Sequence, residues 1–134
     1  MVDLLRIDPA DVQGFWPQVE PLLKSAIDRT GLSEWRAIAD DILYGHGVLW
    51  ICRDGERILC AGATSLQKTD SGLVCVITAC GGSDMRRWLP LLAKIEAYAM
   101  AEGCRCVRIF GRRGWSRVLA GYVVPSVVLE KELT

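Results

Sequence analysis

Residues 73–80 read Leu-Val-Cys-Val-Ile-Thr-Ala-Cys, a run with no charge and a single hydroxyl group. Strands that face water on one side alternate apolar and polar residues, and this run does not. It suits a central strand covered on both faces. Residues 48–52, Val-Leu-Trp-Ile-Cys, repeat the pattern. The mean hydropathy of +0.22 agrees with a fully covered sheet, or with a surface patch that a partner covers.

The rest of the chain reads as edge strands and cover for such a sheet. Leu4-Leu5-Arg6-Ile7 is a short first strand. Asp8 is placed to cap a helix with Pro9 at its first position, and Asp11 lies near the positive end of the helix dipole. Val12, Phe15, Trp16, Val19, Leu22, Leu23, Ala26 and Ile27 follow at helical spacing, with Pro17 and Pro21 expected to kink or divide the helix and Gly31 to end it. Ser33 is placed to cap a second helix with Trp35, Ile38, Ala39, Ile42 and Leu43 on one face, stopped by Gly45 and Gly47. A meander follows: strands at 48–52, 58–66 and 73–80, joined by Asp54-Gly55 and by a polar loop at 67–72. A long helix ends at Glu102 before Gly103, with Trp88, Leu92, Ile95 and Ala99 on its buried stripe. Pro90 leaves its start open between Asp84 and Pro90 itself. A strand at 106–110, a short helix around 115–119 and a final strand at 123–133 complete the order, with Pro125 marking the last strand as an edge or a bulge.

The chain has 134 residues, which fits a single domain spanning 1–134. Sixteen acids balance sixteen bases, but unevenly: residues 1–46 hold eight acids and four bases, and residues 86–117 hold eight bases and two acids. The basic stretch is either an anion-facing surface or a solvated face that complements the acidic N-terminal helices. Asp3, Arg6, Asp8 and Asp11 interrupt any apolar leader, and no apolar run approaches a membrane span, so no membrane role is expected. None of the six cysteines forms a C-x-x-C pair, so no metal is expected. Reduced thiols used as small apolar side chains fit a cytoplasmic compartment.

The order β-α-α-β-β-β-α-β-α-β resembles that of the GNAT superfamily of acyl-CoA N-acyltransferases. Leu91-Leu92, Ile95-Glu96, Ala99 and Glu102-Gly103 resemble the family's third helix, and residues 115–122, closing on Gly121-Tyr122, resemble its fourth. The string from Glu102-Gly103-Cys104 to Gly111-Arg112-Arg113-Gly114-Trp115 also resembles small GNAT-like proteins encoded by phages and prophages. The resemblance implies an α/β (α+β) fold: a mixed, mainly antiparallel central sheet of about six strands flanked by four helices. It implies acetyl-CoA as cosubstrate and an amine as acceptor, either a small molecule or a protein amine. In the family a glycine-bearing loop at the start of the third helix holds the CoA diphosphate. Gly81, Gly82 and Ser83 then become candidate backbone donors, and Arg86 and Arg87 candidate phosphate partners. Registering Leu91-Leu92 on that helix places Asp84, Arg86 and Trp88 where glycines are expected, and Gly81-Gly82 reads equally as a tight turn.

Arg117 stands where active members often carry a tyrosine general acid, and its guanidinium cannot serve as one near neutral pH. No acid lies between Asp70 and Asp84, and the one histidine, His46, sits in the Gly45–Gly47 turn as a candidate base or a surface residue. Catalytic residues are therefore not assigned. The substituted positions support an alternative: a non-catalytic GNAT-fold accessory or virion protein, phage or prophage in origin, that works through contacts with a protein partner or with further copies of itself. Arg105, Arg108, Arg112, Arg113 and Arg117 lie beside Phe110 and Trp115, a pattern that suits nucleic acid, but both aromatics fall at element ends that face a core, and the balanced net charge counts against that reading.

Overall fold

The computed structural model describes residues 2–133 apart from Leu32, Asp84, residues 111–114 and Ser116, and it leaves aside the side chains of Thr30, Met85 and Trp88. The elements are β1 (Val2–Ile7), α1 (Val12–Thr30), α2 (Trp35–Leu43), β2 (Val48–Asp54), β3 (Arg57–Thr69), β4 (Gly72–Gly82), α3 (Met85–Trp88), α4 (Leu92–Ala101) and β5 (Cys106–Ile109). They form one five-stranded sheet in the order β1-β2-β3-β4-β5, with every pairing antiparallel except the parallel β4–β5 pair.

Helices cover both faces, as the unbroken apolar strands require. On one face Val19, Leu23 and Ile27 of α1 and Ile38 and Ile42 of α2 pack on Leu49, Ile51, Ala61, Ala63 and Ala79. On the other, Ile95 and Ala99 of α4 pack on Trp50, Cys52, Cys75 and Ile77. Thr64 is the buried polar residue of the sheet, and its hydroxyl accepts a 3.0 Å hydrogen bond from Trp50 Nε1. The pairing removes the desolvation cost of both groups. All six thiols are free.

Local signals explain most element ends. Asp8 Oδ1 accepts from Ala10 N at 2.9 Å and opens the 3-10 turn Pro9–Asp11 that leads into α1. Gly31, at φ 63°, ends α1 in the left-handed conformation.

Four expectations need correction. First, α1 is a single helix despite Pro17 and Pro21. Both prolines are exposed, so the carbonyls they leave unpaired face water. Second, Ser33 does not cap α2; Glu34 occupies that position without a side-chain hydrogen bond. Third, Pro90 divides the long helix. α3 ends at Trp88, a 3-10 turn covers Leu89–Leu91, and α4 begins at Leu92. Fourth, residues 123–133 join no strand of this sheet, whereas Trp115 and Arg117 lie in a short 3-10 turn in which Val118 N and Leu119 N donate to Trp115 O, Ser116 falling outside the described residues. The sheet therefore has five strands, not six.

Candidate functional site

The site begins with one extra residue. Across the β3–β4 ladder Thr64 pairs with Ile77 and Ala63 pairs with Ala79, so Thr78 is unmatched and forms a β-bulge. Its hydroxyl donates to the Ala63 carbonyl at 3.2 Å. The bulge shifts the alternation of β4. Cys75 and Ile77 face α4, whereas Ala79, which an unbroken strand would point the same way, faces α1.

The bulge coincides with the parting of two strands. β4 and β5 run side by side from Val74↔Cys106 to Ile77↔Ile109, and among the described residues no pairing continues beyond Ile77. The separation leaves a cleft of about 50 Å³, enough for a few water molecules or a short acyl group. Thr78, Ala79 and Cys80 form one wall and Ile109, Phe110 and Trp115 the other. Ile27 and Arg29 of α1 close one end, and Arg29 is exposed at the rim with Nη2 3.3 Å from Ser25 Oγ.

The backbone of β4 supplies the polar groups. Ser83 N donates to Leu59 O at 2.8 Å. Antiparallel alternation then makes Ala61↔Gly81 and Ala63↔Ala79 the mutually bonded pairs. The N–H and C=O groups of Cys80 and Gly82 point away from β3, toward the side from which β5 has departed. An extended, amide-bearing chain could pair with them as an added strand.

The candidate phosphate residues gather at this end of β4. Gly81 and Gly82 are strand residues, not a free turn. Each lies against backbone: a Cβ on Gly81 would meet Leu22 O at 2.2 Å, and one on Gly82, at φ 150°, would meet Leu59 O at 2.2 Å. Gly81 thus lets α1 rest on the sheet. The Ser83 N–H is already used within the sheet. Arg86 is exposed on α3, and the Arg87 guanidinium pairs with the Asp54 carboxylate of β2. Asp84 and residues 111–114 lie outside the described residues, as does the Trp88 side chain.

The acid–base candidates lie elsewhere. His46 is exposed in the turn between α2 and β2, and Arg117 is exposed beyond Trp115. The Tyr122 hydroxyl donates to Glu96 of α4 at 2.8 Å, and burial, reinforced by that carboxylate, holds its pKa above the ordinary range. Among the described residues lining the cleft there is no carboxylate, imidazole or phenol. Cys60 and Cys80 place their sulfurs 3.6 Å apart beside it, and the contact with Cys80, together with burial, raises the Cys60 pKa and keeps that thiol protonated. Sequence reasoning missed Thr78, Phe110 and Arg29 as site residues. The available signal was the lone hydroxyl in an otherwise apolar strand.

No family model matches the chain, and no curated protein matches it. Solved structures do. An aminoglycoside acetyltransferase from an uncultured soil metagenomic sample, in complex with sisomicin, superposes with a TM-score of 0.71 at 10% identity, over 99% of this chain and 96% of that one. A GNAT family acetyltransferase from Staphylococcus aureus gives 0.64 at 13% identity, over 98% of each chain. A predicted acetyltransferase from Clostridium acetobutylicum, solved with acetyl-CoA, gives 0.60 at 14% identity, over 97% and 96%. The chain therefore has the fold of the GNAT acetyltransferases.

Proposed function

We propose that the chain is an N-acyltransferase that moves a short acyl group, acetyl, from acetyl-CoA to an amine. The observation that carries this reading is the parting of β4 and β5 at the Thr78 bulge. It leaves main-chain donors and acceptors on Cys80 and Gly82 that pair with no strand among the described residues. The two amides of the pantetheine arm match them, and the apolar pocket by Ala79 and Phe110 accepts the acetyl end. The diphosphate then falls beside Gly81, Gly82, Ser83, Arg86 and Arg87. Arg86 is free to reach it, and Arg87 reaches it by exchanging Asp54 for phosphate.

The acceptor is a small amine or a protein amine. Its neutral nitrogen attacks the acetyl carbonyl carbon, the C–S bond breaks, and the CoA sulfur leaves as thiolate. The proton lost from nitrogen goes to that thiolate or to water, because the cleft offers no side-chain base among its described residues. Titration calorimetry with acetyl-CoA tests the reading: micromolar binding, weakened about tenfold or more when Arg86 and Arg87 are both alanine, is the expected result. Undetectable binding refutes it.

The same lack of a base favours one second reading, a non-catalytic GNAT-fold protein acting through protein contacts. Acetyl-CoA bound without turnover across a panel of amines would select that reading.

A further inference from the structure

Cys60 and Cys80 meet because a glycine stands opposite each of them. In the β3–β4 register Cys60 pairs with Gly82, and Gly62 pairs with Cys80. All four residues share one face of the ladder. With no side chain directly across, the two sulfurs meet along the diagonal, 3.6 Å apart. The thiols differ in access. Cys60 is 4% exposed, in the core beneath α4. Cys80 is half-buried and lines the cleft. Acyl transfer as proposed above uses the main chain of Cys80 and leaves both sulfurs without a task.

We propose that Cys60 and Cys80 are a redox-active dithiol, which a low-molecular-weight disulfide such as glutathione disulfide oxidises to a bond bridging β3 and β4. The Cys80 sulfur, the accessible one, attacks a sulfur of the reagent. The reagent's S–S bond breaks, one thiol departs with the Cys80 proton, and Cys80 is left in a mixed disulfide. Cys60 then attacks the Cys80 sulfur, and the second thiol departs with the Cys60 proton. Two protein thiols are oxidised, and one reagent disulfide is reduced to two thiols. Only Cys80 has to meet solvent, because Cys60 finds its target inside the protein. The contact with Cys80, then burial, holds Cys60 protonated in the dithiol, which makes Cys80 the first nucleophile. That contact is lost once Cys80 enters the mixed disulfide. Closure brings the sulfurs from 3.6 Å to about 2 Å. The glycines across the ladder leave room for it, and above the bulge β4 has no second strand to hold it among the described residues. The consequence for the cleft rests on the acyltransferase reading: drawing Cys80 toward Cys60 turns its N–H and C=O away from an added chain, so oxidation weakens acetyl-CoA binding.

The full chain, equilibrated with mixtures of oxidised and reduced glutathione and mapped by peptide mass spectrometry, tests the proposal. A Cys60–Cys80 link is expected, reversed by excess reduced glutathione. Cys60→Ala should stop at a glutathione adduct on Cys80, and Cys80→Ala should leave the buried Cys60 unmodified. A link between Cys52 and Cys60, which pair across β2 and β3, would overturn the proposal. So would a Cys80 adduct that never resolves in the natural protein, or thiols at 60 and 80 that stay free throughout. Calorimetry on the oxidised protein should show acetyl-CoA binding about tenfold weaker than on the reduced protein. Equal affinities would separate the dithiol from the cleft. A reduced protein that does not bind acetyl-CoA would refute the acyltransferase reading and leave the mapped link standing.

Discussion

The two halves of β4 lie in one strand and do different work. Below the bulge, Val74, Cys75, Val76 and Ile77 are paired on both sides and 0–4% exposed. Above it, residues 79–82 pair with β3 alone among the described residues, and Thr78, Ala79 and Cys80 line the cleft. The lower half carries mostly branched apolar residues, and the upper half small ones, Thr78, Ala79, Cys80, Gly81 and Gly82. What separates them in pairing is one extra residue, which turns the strand over and coincides with the loss of its second partner. A site built this way needs no dedicated loop. It reuses backbone groups that a paired strand would have consumed, and it stays rigid because the lower half is locked into the core.

The sharpest challenge to this division lies at Gly81, in the upper half. If that half were only a loose margin, adding a methyl group would be tolerated. The Cβ would instead meet the Leu22 carbonyl of α1 at 2.2 Å, where both sides are backbone. Gly81→Ala should cost about 3 kcal/mol or more by forcing α1 off the sheet. Gly62→Ala is the control, because its Cβ meets Ala79 O at an ordinary 3.7 Å. Denaturant midpoints for the two variants should separate widely, and equal midpoints would show that α1 is not seated on β4 as described.

The next test separates the halves by function. Ile77 is 4% exposed and packs toward α4, so Ile77→Ala should cost about 2–4 kcal/mol of stability. Phe110, across the gap, is 48% exposed, and Phe110→Ala should cost about 1 kcal/mol or less by area buried. Its effect should appear in acetyl-CoA affinity instead, as a loss of about tenfold. Similar stability losses with unchanged affinity would remove the cleft from the functional reading.

The strands were legible in sequence because their signal is local. The runs at 48–52 and 73–80 lack the polar alternation of a half-exposed strand, and both lie in the middle of the sheet. The bulge was not legible, since a bulge is a mismatch between two strands and Thr78 carries no mark of its partner's register. The glycine pair was legible as special but ambiguous: a close helix and a close phosphate both demand glycine. Pro17 and Pro21 misled for a similar reason. Their cost depends on whether the freed carbonyls are buried, and here they face water. Residues 123–133 have strand composition without a strand partner in the same chain, so a composition-based reading could not place them.

A pH series read against Cys75→Val probes the lower half. Burial, then the neighbouring Cys104, pushes the Cys75 thiol up to about 11 against an ordinary 9.0. A raised thiol favours the protonated folded form. Its contribution is fully present below about pH 9 and is lost as the pH rises from there toward 11. Unfolding midpoints should therefore change little on account of this group between pH 6 and about 8, then fall above about 9. Cys75→Val should flatten part of that alkaline decline. An unaltered decline would mean that Cys75 is not sealed within the paired half.

The smallest effect is expected at the boundary itself. Thr78 is half-buried, and its hydroxyl donates to the Ala63 carbonyl, one of the two residues that flank the bulge on β3. Thr78→Val keeps the shape and removes that bond, at a cost of about 0.5–1.5 kcal/mol. Two origins of the bulge then give different results. If the side-chain bond holds it, the valine variant should let β4 slip into regular pairing, return Ala79 to the α4 side, and close the cleft, with acetyl-CoA affinity lost out of proportion to stability. If the pairing on either side holds it, through the Ala63↔Ala79 and Thr64↔Ile77 contacts, affinity should stay within about twofold. We expect the second outcome. Slippage by one residue would drive every side chain of the upper half to the wrong face, setting Thr78 where Ala79 now packs and Cys80 where Gly81 now lies against Leu22, at a cost far above that of one hydrogen bond. Amide hydrogen exchange at Cys80 and Gly82 reads the answer directly: both should remain fast in the unliganded variant, as unpaired donors on an open edge must, and slow only when acetyl-CoA is added.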